Sequence, residues 1–308
     1  MSEPEDITPG PIPEPPKGYK SGYVTIMGKP NAGKSTFLNA VLGTKLSIIS
    51  PKVQTTRHRI TGIHSDDRGQ IVFLDTPGFL EPRYKLHEKM MHAVRRSVED
   101  ADLILFILDP GDVPSEEELA WFASYRKKPV LLMVNKSDRF KEATITAAAE
   151  QMAQQLHLRD TRIISALNLE GVPELVEQIF ALLPEGPPFF PPDQLSEHPE
   201  RFFVSELIRE QLFHLYRAEI PYSCAVNIIS FEAEPEITRI DAEIVVSRNS
   251  QKGIVIGKGG TALKKLGTEA RKEIQQFLGT KVYLNLFVKV REKWRENETF
   301  LRSYGYNS

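Results

Sequence analysis

The segment 28-GKPNAGKS-35 constrains the fold of this chain more than any other feature of the sequence. It follows the apolar run 23-YVTIM-27 and leads into a helix-like stretch at 34–42. Glycines in such a turn let backbone N–H groups converge at a helix N-terminus, where they attract phosphate groups. The spacing G-x-x-x-x-G-K-[ST] between a strand and a helix therefore predicts a loop that binds the phosphates of a nucleotide.

Two further segments complete the predicted phosphate site. Within the loop, we expect Lys34 to reach the β- and γ-phosphates and the Ser35 hydroxyl to bind Mg²⁺. The turn 75-DTPG-78 closes a second apolar run, and 54-QTTRH-58 is the predicted switch I, in which Thr56 is favoured over Thr55 as a Mg²⁺ ligand. The predicted Mg²⁺ site is Ser35, Thr56 and Asp75. The residues predicted to contact the phosphates are Gly28, Lys29, Pro30, Asn31, Ala32, Gly33, Lys34, Ser35, Thr36, Asp75, Thr76, Pro77 and Gly78.

The motif 135-NKSD-138 follows another apolar strand and predicts that the base is guanine. The Asp138 carboxylate suits the N1–H and exocyclic amine of guanine, and adenine has no such pair of donors. We expect Asn135 to tie this segment to the phosphate loop and the Lys136 stem to cover the base. Ser165 and Ala166 are expected to supply a backbone N–H to the guanine carbonyl. The ordered motifs predict GTP or GDP with Mg²⁺ as the ligands.

The position after D-x-x-G, where many GTPases carry a glutamine that orients the attacking water, holds Phe79. A phenyl ring cannot hold water by hydrogen bonding, so we expect slow intrinsic hydrolysis. Asn31 is a candidate ligand for a monovalent cation near switch I, and stimulation by K⁺ is the corresponding hypothesis. The residues predicted to support hydrolysis are Asn31, Lys34, Thr56, Asp75 and Gly78.

Apolar runs alternate with helical stretches through the first part of the chain. Strands are predicted at 23–27, 71–75, 103–109, 130–135 and 161–164, and helices at 34–42, 85–99, 115–126, 145–156 and 172–183. Strands that are apolar throughout and separated by helices predict a mostly parallel sheet with helices on both faces. Proline-rich segments bracket this α/β domain at 20–185: a tail at 1–19 predicted to be disordered, and a linker at 186–198.

A second domain is predicted at 199–300, with a basic and aromatic tail to 308. Its predicted elements are a helix at 200–217, strands near 223–231 and 237–247, the turn 253-GIVIGKGG-260, a helix, and a strand at 281–290. A G-x-x-G loop in the order α-β-β-α-α-β is typical of KH domains, in which the loop clamps about four nucleotides. From Gln251 onward, 12 Lys/Arg stand against 5 Asp/Glu in a chain of net charge −2, which favours a polyanionic partner.

The predicted RNA contacts combine the loop with nearby basic, apolar and aromatic residues. They are Ile254, Ile256, Gly257, Lys258, Gly259, Gly260, Lys264, Lys265 and Trp294. Two alternatives stay open from the sequence. The isoleucines suit the core as well as the groove, and Trp294 either stacks on a base or packs against the last strand.

Composition limits the class and location of the protein. Cys224 is the single cysteine, so an intrachain disulfide is excluded. No apolar run has the roughly eighteen residues that a membrane span needs, and no signal-peptide pattern occurs at the N-terminus. We therefore expect a cytoplasmic protein.

With both halves described, the chain resembles the Era family of bacterial GTPases over roughly residues 20–300. The resemblance rests on 28-GKPNAGKS-35, 54-QTTRH-58, 75-DTPG-78, 135-NKSD-138, 165-SAL-167, 200-ERFFVSELIRE-210 and 253-GIVIGKGG-260. It implies a P-loop GTPase domain followed by an α+β KH domain of type II. It also implies Mg²⁺-dependent GTP hydrolysis, binding to the 3′ end of 16S ribosomal RNA, and a role in 30S subunit assembly. Peripheral contact with the inner membrane occurs in some members, and a monomer is expected.

Three functional hypotheses follow. In the first, GTP binding controls how the KH domain holds RNA during subunit assembly. In the second, the GTPase is a partner in RNA modification, against which the lack of a second catalytic constellation counts. The third is a constitutive RNA scaffold with a vestigial nucleotide site. The intact Lys34, Ser35, Asp75 and Asp138 oppose such decay.

Overall fold

A computed structural model of the protein describes residues 16–124, 128–158 and 160–306. The strands are β1 Lys20–Gly28, β2 Ile60–Asp66, β3 Gly69–Asp75, β4 Leu103–Leu108, β5 Val130–Val134, β6 Thr161–Ile163, β7 Ala225–Ala233, β8 Ile237–Val246 and β9 Lys281–Val290. The α-helices are α1 Lys34–Leu42, α2 Lys85–Asp100, α3 Glu116–Ala123, α4 Glu142–Leu156, α5 Val172–Leu182, α6 Glu200–Leu215, α7 Ile220–Ser223, α8 Asn249–Ile256, α9 Thr261–Leu278 and α10 Glu298–Ser303.

The first sheet has six strands in the order β2-β3-β1-β4-β5-β6. All its pairings are parallel except that of β2 with β3, which is antiparallel. The sequence reading missed β2. This edge strand carries Gly62 and ends in half-exposed His64, Ser65 and Asp66, so it lacks the apolar run that identified the central strands.

Alternation along the central strands explains why helices cover both faces of this sheet. In β4, Leu103, Leu105 and Ile107 belong to the core that contains α1 and α5. The intervening Ile104 and Phe106 belong to the core that contains α2, α3 and α4. Successive side chains of a strand point to opposite faces, so one apolar strand supplies two cores. The predicted mostly parallel sheet with helices on both faces is confirmed.

The proline-rich segment between the two sheets lies against the first one. Ile63 N donates to Leu195 O at 2.8 Å, and Phe189 N donates to the Gln70 side chain at 2.7 Å. At the chain's start, the predicted disordered tail falls outside the described residues up to position 15. Residues 16–19 form a turn rather than a disordered end, because the Tyr19 carbonyl accepts from Gly186 N at 3.0 Å.

The second sheet has the order β7-β8-β9, with β7 antiparallel and β9 parallel to β8. Helices α6 and α9 pack on one of its faces, where Ile240 and Ala242 of β8 are buried. With α8 and α9 between β8 and β9, this is the predicted α+β KH arrangement, which is confirmed. The short α7 and α10 were not predicted. The domain limits 20–185, 186–198 and 199–300 stay predictions.

The opposite face of the second sheet meets the first domain. Ala225 and Val245 pack there with Trp294, Leu301 and Tyr306 from the C-terminal segment. Leu86 and Met90 of α2 complete the same buried cluster. A shared apolar cluster therefore joins α2, which follows the 75–78 turn, to the C-terminal domain. No described helix combines the length and apolarity needed to cross a membrane.

Candidate functional site

The phosphate loop lies between β1 and α1, as its spacing predicted. Gly33 has φ 105°, and a Cβ atom there would lie 2.1 Å from Asn135 Nδ2, so the position requires glycine. That Asn135 nitrogen donates to Ala32 O at 2.9 Å. The predicted tie between the guanine motif and the phosphate loop is therefore present as a buried hydrogen bond.

Lys34 is a buried cation at the first residue of α1. Its Nζ donates to Gly28 O at 3.0 Å and to Lys29 O at 2.8 Å. Burial lowers the pKa of Lys34 to about 8, and the nearby Asp75 carboxylate opposes that shift. A desolvated ammonium held by two carbonyls at a helix N-terminus is stabilised by an added anion, so the residue suits nucleotide phosphates.

The three predicted Mg²⁺ ligands lie together. Ser35 Oγ donates to Asp75 Oδ2 at 2.9 Å and lies 3.1 Å from Thr56 Oγ1. Burial raises the pKa of Asp75, while Lys34 and Ser35 act against that rise. Asp75 Oδ1 is a buried oxygen without a hydrogen-bond partner among the described residues. Two hydroxyls beside an unsatisfied carboxylate oxygen form a hard, all-oxygen set that fits Mg²⁺. The Thr56 hydroxyl, rather than that of Thr55, adjoins Ser35.

The predicted guanine site is held by hydrogen bonds between its own residues. Ser165 Oγ donates to Asp138 Oδ1 at 2.6 Å, and Lys136 Nζ bonds Asp109 Oδ2 at 2.5 Å. The backbone N–H groups expected to reach the guanine carbonyl are bonded within the protein in this conformation. Ser165 N donates to Glu170 O, and Ala166 N donates to Asn135 Oδ1 at 3.0 Å. These bonds hold the loop against Asn135 and Glu170, and the contact with the base stays a prediction.

A cavity of about 340 Å³ lies beside Lys136 and is large enough for a ligand, but Asp138, Ser165 and Ala166 do not line it. It joins the phosphate loop, switch I, Gly78 and Lys136. Asn31 Nδ2 donates to Pro51 O at 2.9 Å, which links the loop to the segment that precedes switch I. The sequence reading missed Arg139 and residues 48–51, which also line the cavity. Thr76 is a structural residue here, since its hydroxyl donates to the buried Ile26 O at 3.0 Å.

Phe79 packs into the apolar core instead of facing the cavity. Its ring lies 4.8 Å from that of Trp121, and Leu80 packs beside it. A phenyl ring packed in this way offers no hydrogen bond to water.

Switch I is bonded directly to the C-terminal domain. Arg57 is almost fully buried and donates to Cys224 O at 2.7 Å and Pro221 O at 2.9 Å. Arg209 of α6 donates to Thr55 O and to Glu206. These contacts surround Thr56, so the C-terminal domain holds the residues that position a predicted Mg²⁺ ligand.

More contacts extend this attachment into the residues before switch I. Lys52 Nζ donates to Tyr216 O at 2.5 Å, and Glu210 accepts from Ile49 N at 3.1 Å. Glu210 also pairs with Lys45 at 2.7 Å. The residues that form this attachment are far apart in the chain. The sequence predicted only which residues form switch I, not the residues that bond to them.

The predicted RNA loop lies between α8 and α9. Gly257, Gly259 and Gly260 all have positive φ, and Lys258 is exposed. Beside the loop, a groove of about 480 Å³ contains Gly260 and Lys264. Ile254 is 51% exposed whereas Val255 is fully buried, so Ile254 is not a core residue. Ile256 is half-buried, and Lys265 is exposed but outside the groove lining.

The groove includes residues that the sequence reading did not select as RNA contacts. They are Leu263, Gly267, Thr268, Arg271, Leu284 and Leu286. Their spacing on α9 and β9 would have identified them once the two elements were known to be neighbours.

The prediction that Trp294 stacks on a base is wrong. Its side chain is fully buried, and Nε1 donates to Ser223 O at 2.9 Å. Tyr304 and Tyr306 pack around the ring. Trp294 therefore belongs to the core, while Arg291 and Arg295 of the same segment lie over the rings of Phe300 and Tyr84.

Comparisons with known proteins agree with both predicted domains of the chain. Residues 23–136 match the family model described as 50S ribosome-binding GTPase, and residues 219–295 match the KH domain. GTPase Era of Carboxydothermus hydrogenoformans is 46% identical over 292 residues, covering 94% of this chain and 98% of the relative. The chloroplastic GTPase ERA-like protein of Oryza sativa is 44% identical over 94% of this chain and 70% of its own length.

Two solved structures match over most of the chain. An Aquifex aeolicus Era variant bound to GDP·AlF4⁻ has a TM-score of 0.90 and 39% identity, covering 94% of this chain and all of that one. Era in complex with MgGDPNP and a 16S ribosomal RNA fragment has the same TM-score and coverage, with 40% identity. The nucleotide loop, guanine motif and KH domain thus occur in one chain that matches its relatives nearly end to end. The chain therefore belongs to the Era family of GTPases.

Proposed function

We propose that this protein is a GTP-hydrolysing switch that binds the 3′-end region of 16S ribosomal RNA and acts in assembly of the 30S subunit. Support comes from the family, and from the related Era whose structure contains MgGDPNP and 16S ribosomal RNA nucleotides 1506–1542. The nucleotide state controls RNA binding through switch I. One observation carries this proposal: Thr56 lies between Thr55 and Arg57, and both neighbours are hydrogen-bonded to the C-terminal domain.

The coupling has a simple physical basis. Thr56 Oγ1 lies 3.1 Å from Ser35 Oγ, so the phosphate site and the C-terminal domain hold consecutive residues of one segment. A nucleotide that shifts Thr56 changes the geometry available to Arg57 and to the Thr55 carbonyl. The Arg57 bonds are buried and the Arg209 bond to Thr55 is partly buried, so breaking either leaves a desolvated polar group and is costly. The C-terminal domain thus responds to the third phosphate.

The deciding experiment compares RNA affinity in three nucleotide states. The chain is loaded with a non-hydrolysable GTP analogue, loaded with GDP, or stripped of nucleotide, and is titrated with a 16S 3′-end oligonucleotide. We expect distinct affinities, and a scrambled oligonucleotide of equal length is the control. Equal affinities in all three states would favour the constitutive scaffold instead.

In this proposal the chain's own residues bind and orient the nucleotide. Lys34 holds the phosphates, while Ser35, Thr56 and Asp75 hold Mg²⁺, which supplies charge stabilisation when bound. Asp138 selects guanine. Phe79 orients no water, so the intrinsic rate is slow, and Asn31 is the ligand for a stimulating K⁺. Turnover is expected to be faster in KCl than in NaCl, and equal turnover would refute the role of K⁺.

The setting follows the family resemblance. We propose a cytoplasmic monomer with peripheral contact with the inner membrane. Size-exclusion chromatography with light scattering tests the monomer, and sedimentation with vesicles tests the membrane contact.

A further inference from the structure

A second cavity lies outside both the nucleotide site and the RNA groove. Its volume is about 320 Å³, and its lining comes from residues 57–59, one face of α2, His198 and the C-terminal residues 305–306. The α2 face contributes Lys89, His92 and Arg96, whose spacing of three and four residues places them on one side of the helix. We call it the cationic cavity, because it also contains Arg57 and Arg59.

The positive charge of this cavity is only partly neutralised. Arg59 pairs with Asp100, and Lys89 pairs with Glu298 at 3.3 Å. Arg57 is 2% exposed and bonds two backbone carbonyls. Neither Arg57 nor Arg96 has a carboxylate within ion-pair distance among the described residues. Cations gathered in a recess repel one another, so an anion bound there is stabilised.

The neighbouring imidazoles add no charge to the cavity. Burial, together with Arg209, His198 and Arg57, lowers the pKa of His58 to about 4, despite the opposing effect of Glu206. Burial is also the main cause that lowers the pKa of His198. Both rings are neutral near pH 7, so the positive charge of the cavity comes from its lysine and arginine side chains.

The shape of the cavity indicates what kind of anion fits. The His58 ring already stacks on Tyr306 at 4.3 Å, which leaves no slot for a base between them. The cations line a recess rather than an extended open strip, as an RNA backbone would need. We propose that the cationic cavity binds the phosphate groups of a small phosphorylated molecule.

Such a ligand would contact three segments, each of which adjoins a different functional part of the protein. Arg57 and Arg59 follow Thr56 of switch I, α2 follows the 75–78 turn, and Tyr306 ends the described part of the C-terminal domain. A bound phosphate group would neutralise the repulsion between them. The ligand therefore favours the arrangement in which the C-terminal segment lies on α2.

Binding is tested on the full chain saturated with GDP, so that the phosphate loop is occupied. Pyrophosphate is titrated calorimetrically at constant ionic strength and constant free Mg²⁺. Parallel titrations with inorganic phosphate and with ADP, whose adenine the guanine site rejects, distinguish a free anion from a nucleotide. We expect saturable binding of pyrophosphate, of ADP, or of both.

Neighbouring arginines on α2 supply the matched variants. Arg96→Gln removes a cation from the cavity lining, whereas Arg95→Gln removes an equally exposed cation that does not line it. We expect Arg96→Gln to weaken binding roughly fivefold to tenfold, as for loss of one charge-assisted hydrogen bond, and Arg95→Gln to leave it unchanged. Equal melting temperatures without anion show that both variants are folded.

Three results would overturn the proposal. The first is no saturable binding of any probe to the GDP-saturated chain. An equal loss in both variants would mean a diffuse surface charge rather than a site. Finally, a single-stranded RNA whose binding depends on Arg96, while the small phosphates fail to bind, would assign the cavity to a nucleic-acid backbone.

Discussion

The buried pair of Arg209 and Glu206 gives a quantitative test of the attachment between switch I and the C-terminal domain. Arg209 Nε donates to Glu206 Oε1 at 2.8 Å, and another nitrogen of Arg209 donates to Thr55 O. The two side chains are 2% and 5% exposed. Arg209→Met would leave the Glu206 carboxylate buried without its main partner. We expect a loss of about 3 kcal/mol in the free energy of unfolding, as for other broken buried pairs.

A double variant distinguishes the effect of the unpaired Glu206 carboxylate from the effect of the lost bond to switch I. Arg209→Met combined with Glu206→Leu removes both charges and fills similar volume. Replacing a buried pair by apolar residues is often nearly neutral, so the double variant should lie within about 1 kcal/mol of the parent chain. Both variants lose the bond to Thr55 O. The nucleotide dependence of RNA affinity should therefore weaken in both, although only the single variant is strongly destabilised.

The pH dependence gives an independent check on the same cause. Burial acts to raise the pKa of Glu206, but the charge of Arg209 holds it below its ordinary value, so the pair stabilises the fold above pH 4.5 and loses this effect as pH falls further. Without Arg209, burial raises the pKa of Glu206, and its penalty disappears as the carboxyl protonates. The stability difference between parent and single variant should narrow from pH 7 to pH 5.

The measurement is urea unfolding of the GDP-saturated proteins at both pH values, followed by tryptophan fluorescence. The low pKa of His58 also destabilises the fold below pH 6.5; burial is its main cause and Arg209 a lesser one, so the parent loses somewhat more of this stability than the variant, which narrows the difference in the same direction. A stability difference that is independent of pH would refute the explanation that an unpaired Glu206 carboxylate destabilises the single variant. A double variant as unstable as the single one would do the same.

Four further changes test the sites. Lys34→Ala should weaken GTP binding at least a hundredfold, because it removes the buried cation at the phosphate loop, and calorimetry measures it. Asp138→Asn should shift preference from guanine toward xanthine nucleotides, and a competition assay that still shows guanine selectivity would contradict the base contact. Gly259→Asp should abolish RNA binding in a gel-shift assay while leaving phosphate release unchanged, because an acidic side chain at a positive φ opposes RNA phosphates. Trp294→Ala should lower stability by about 3–5 kcal/mol, as a core truncation does, and an unaffected unfolding midpoint would contradict its burial.

Individual helices and strands were predictable because the pattern that specifies each one lies within a short run of neighbouring residues. Helix α1 at Lys34–Leu42 and strand β9 at Lys281–Val290 have the predicted limits. The segments predicted to bind phosphates lie at the ends of β1 and β3, where a parallel sheet brings them together, and this too follows from the pattern. Strand β2 escaped prediction because an edge strand needs no continuous apolar run.

What the sequence did not predict depends on contacts between distant residues. Arg57 was assigned to switch I, but nothing in 54-QTTRH-58 indicates that its guanidinium bonds Pro221 O and Cys224 O. Trp294 was misassigned for a related reason. A basic and aromatic segment has the same composition whether its rings face RNA or a neighbouring sheet, and only the second sheet decides between them.

Cys224 makes opening of the C-terminal core readable by thiol chemistry. Its side chain is fully buried in a cluster with Leu212, Ile244 and Leu266, and burial raises the pKa of its thiol to about 12, so the thiol is inert in the folded chain. No other thiol occurs in the sequence to compete for reagent. The alkylation rate of the native chain therefore measures how often this core opens, and it can be followed without attaching any label elsewhere.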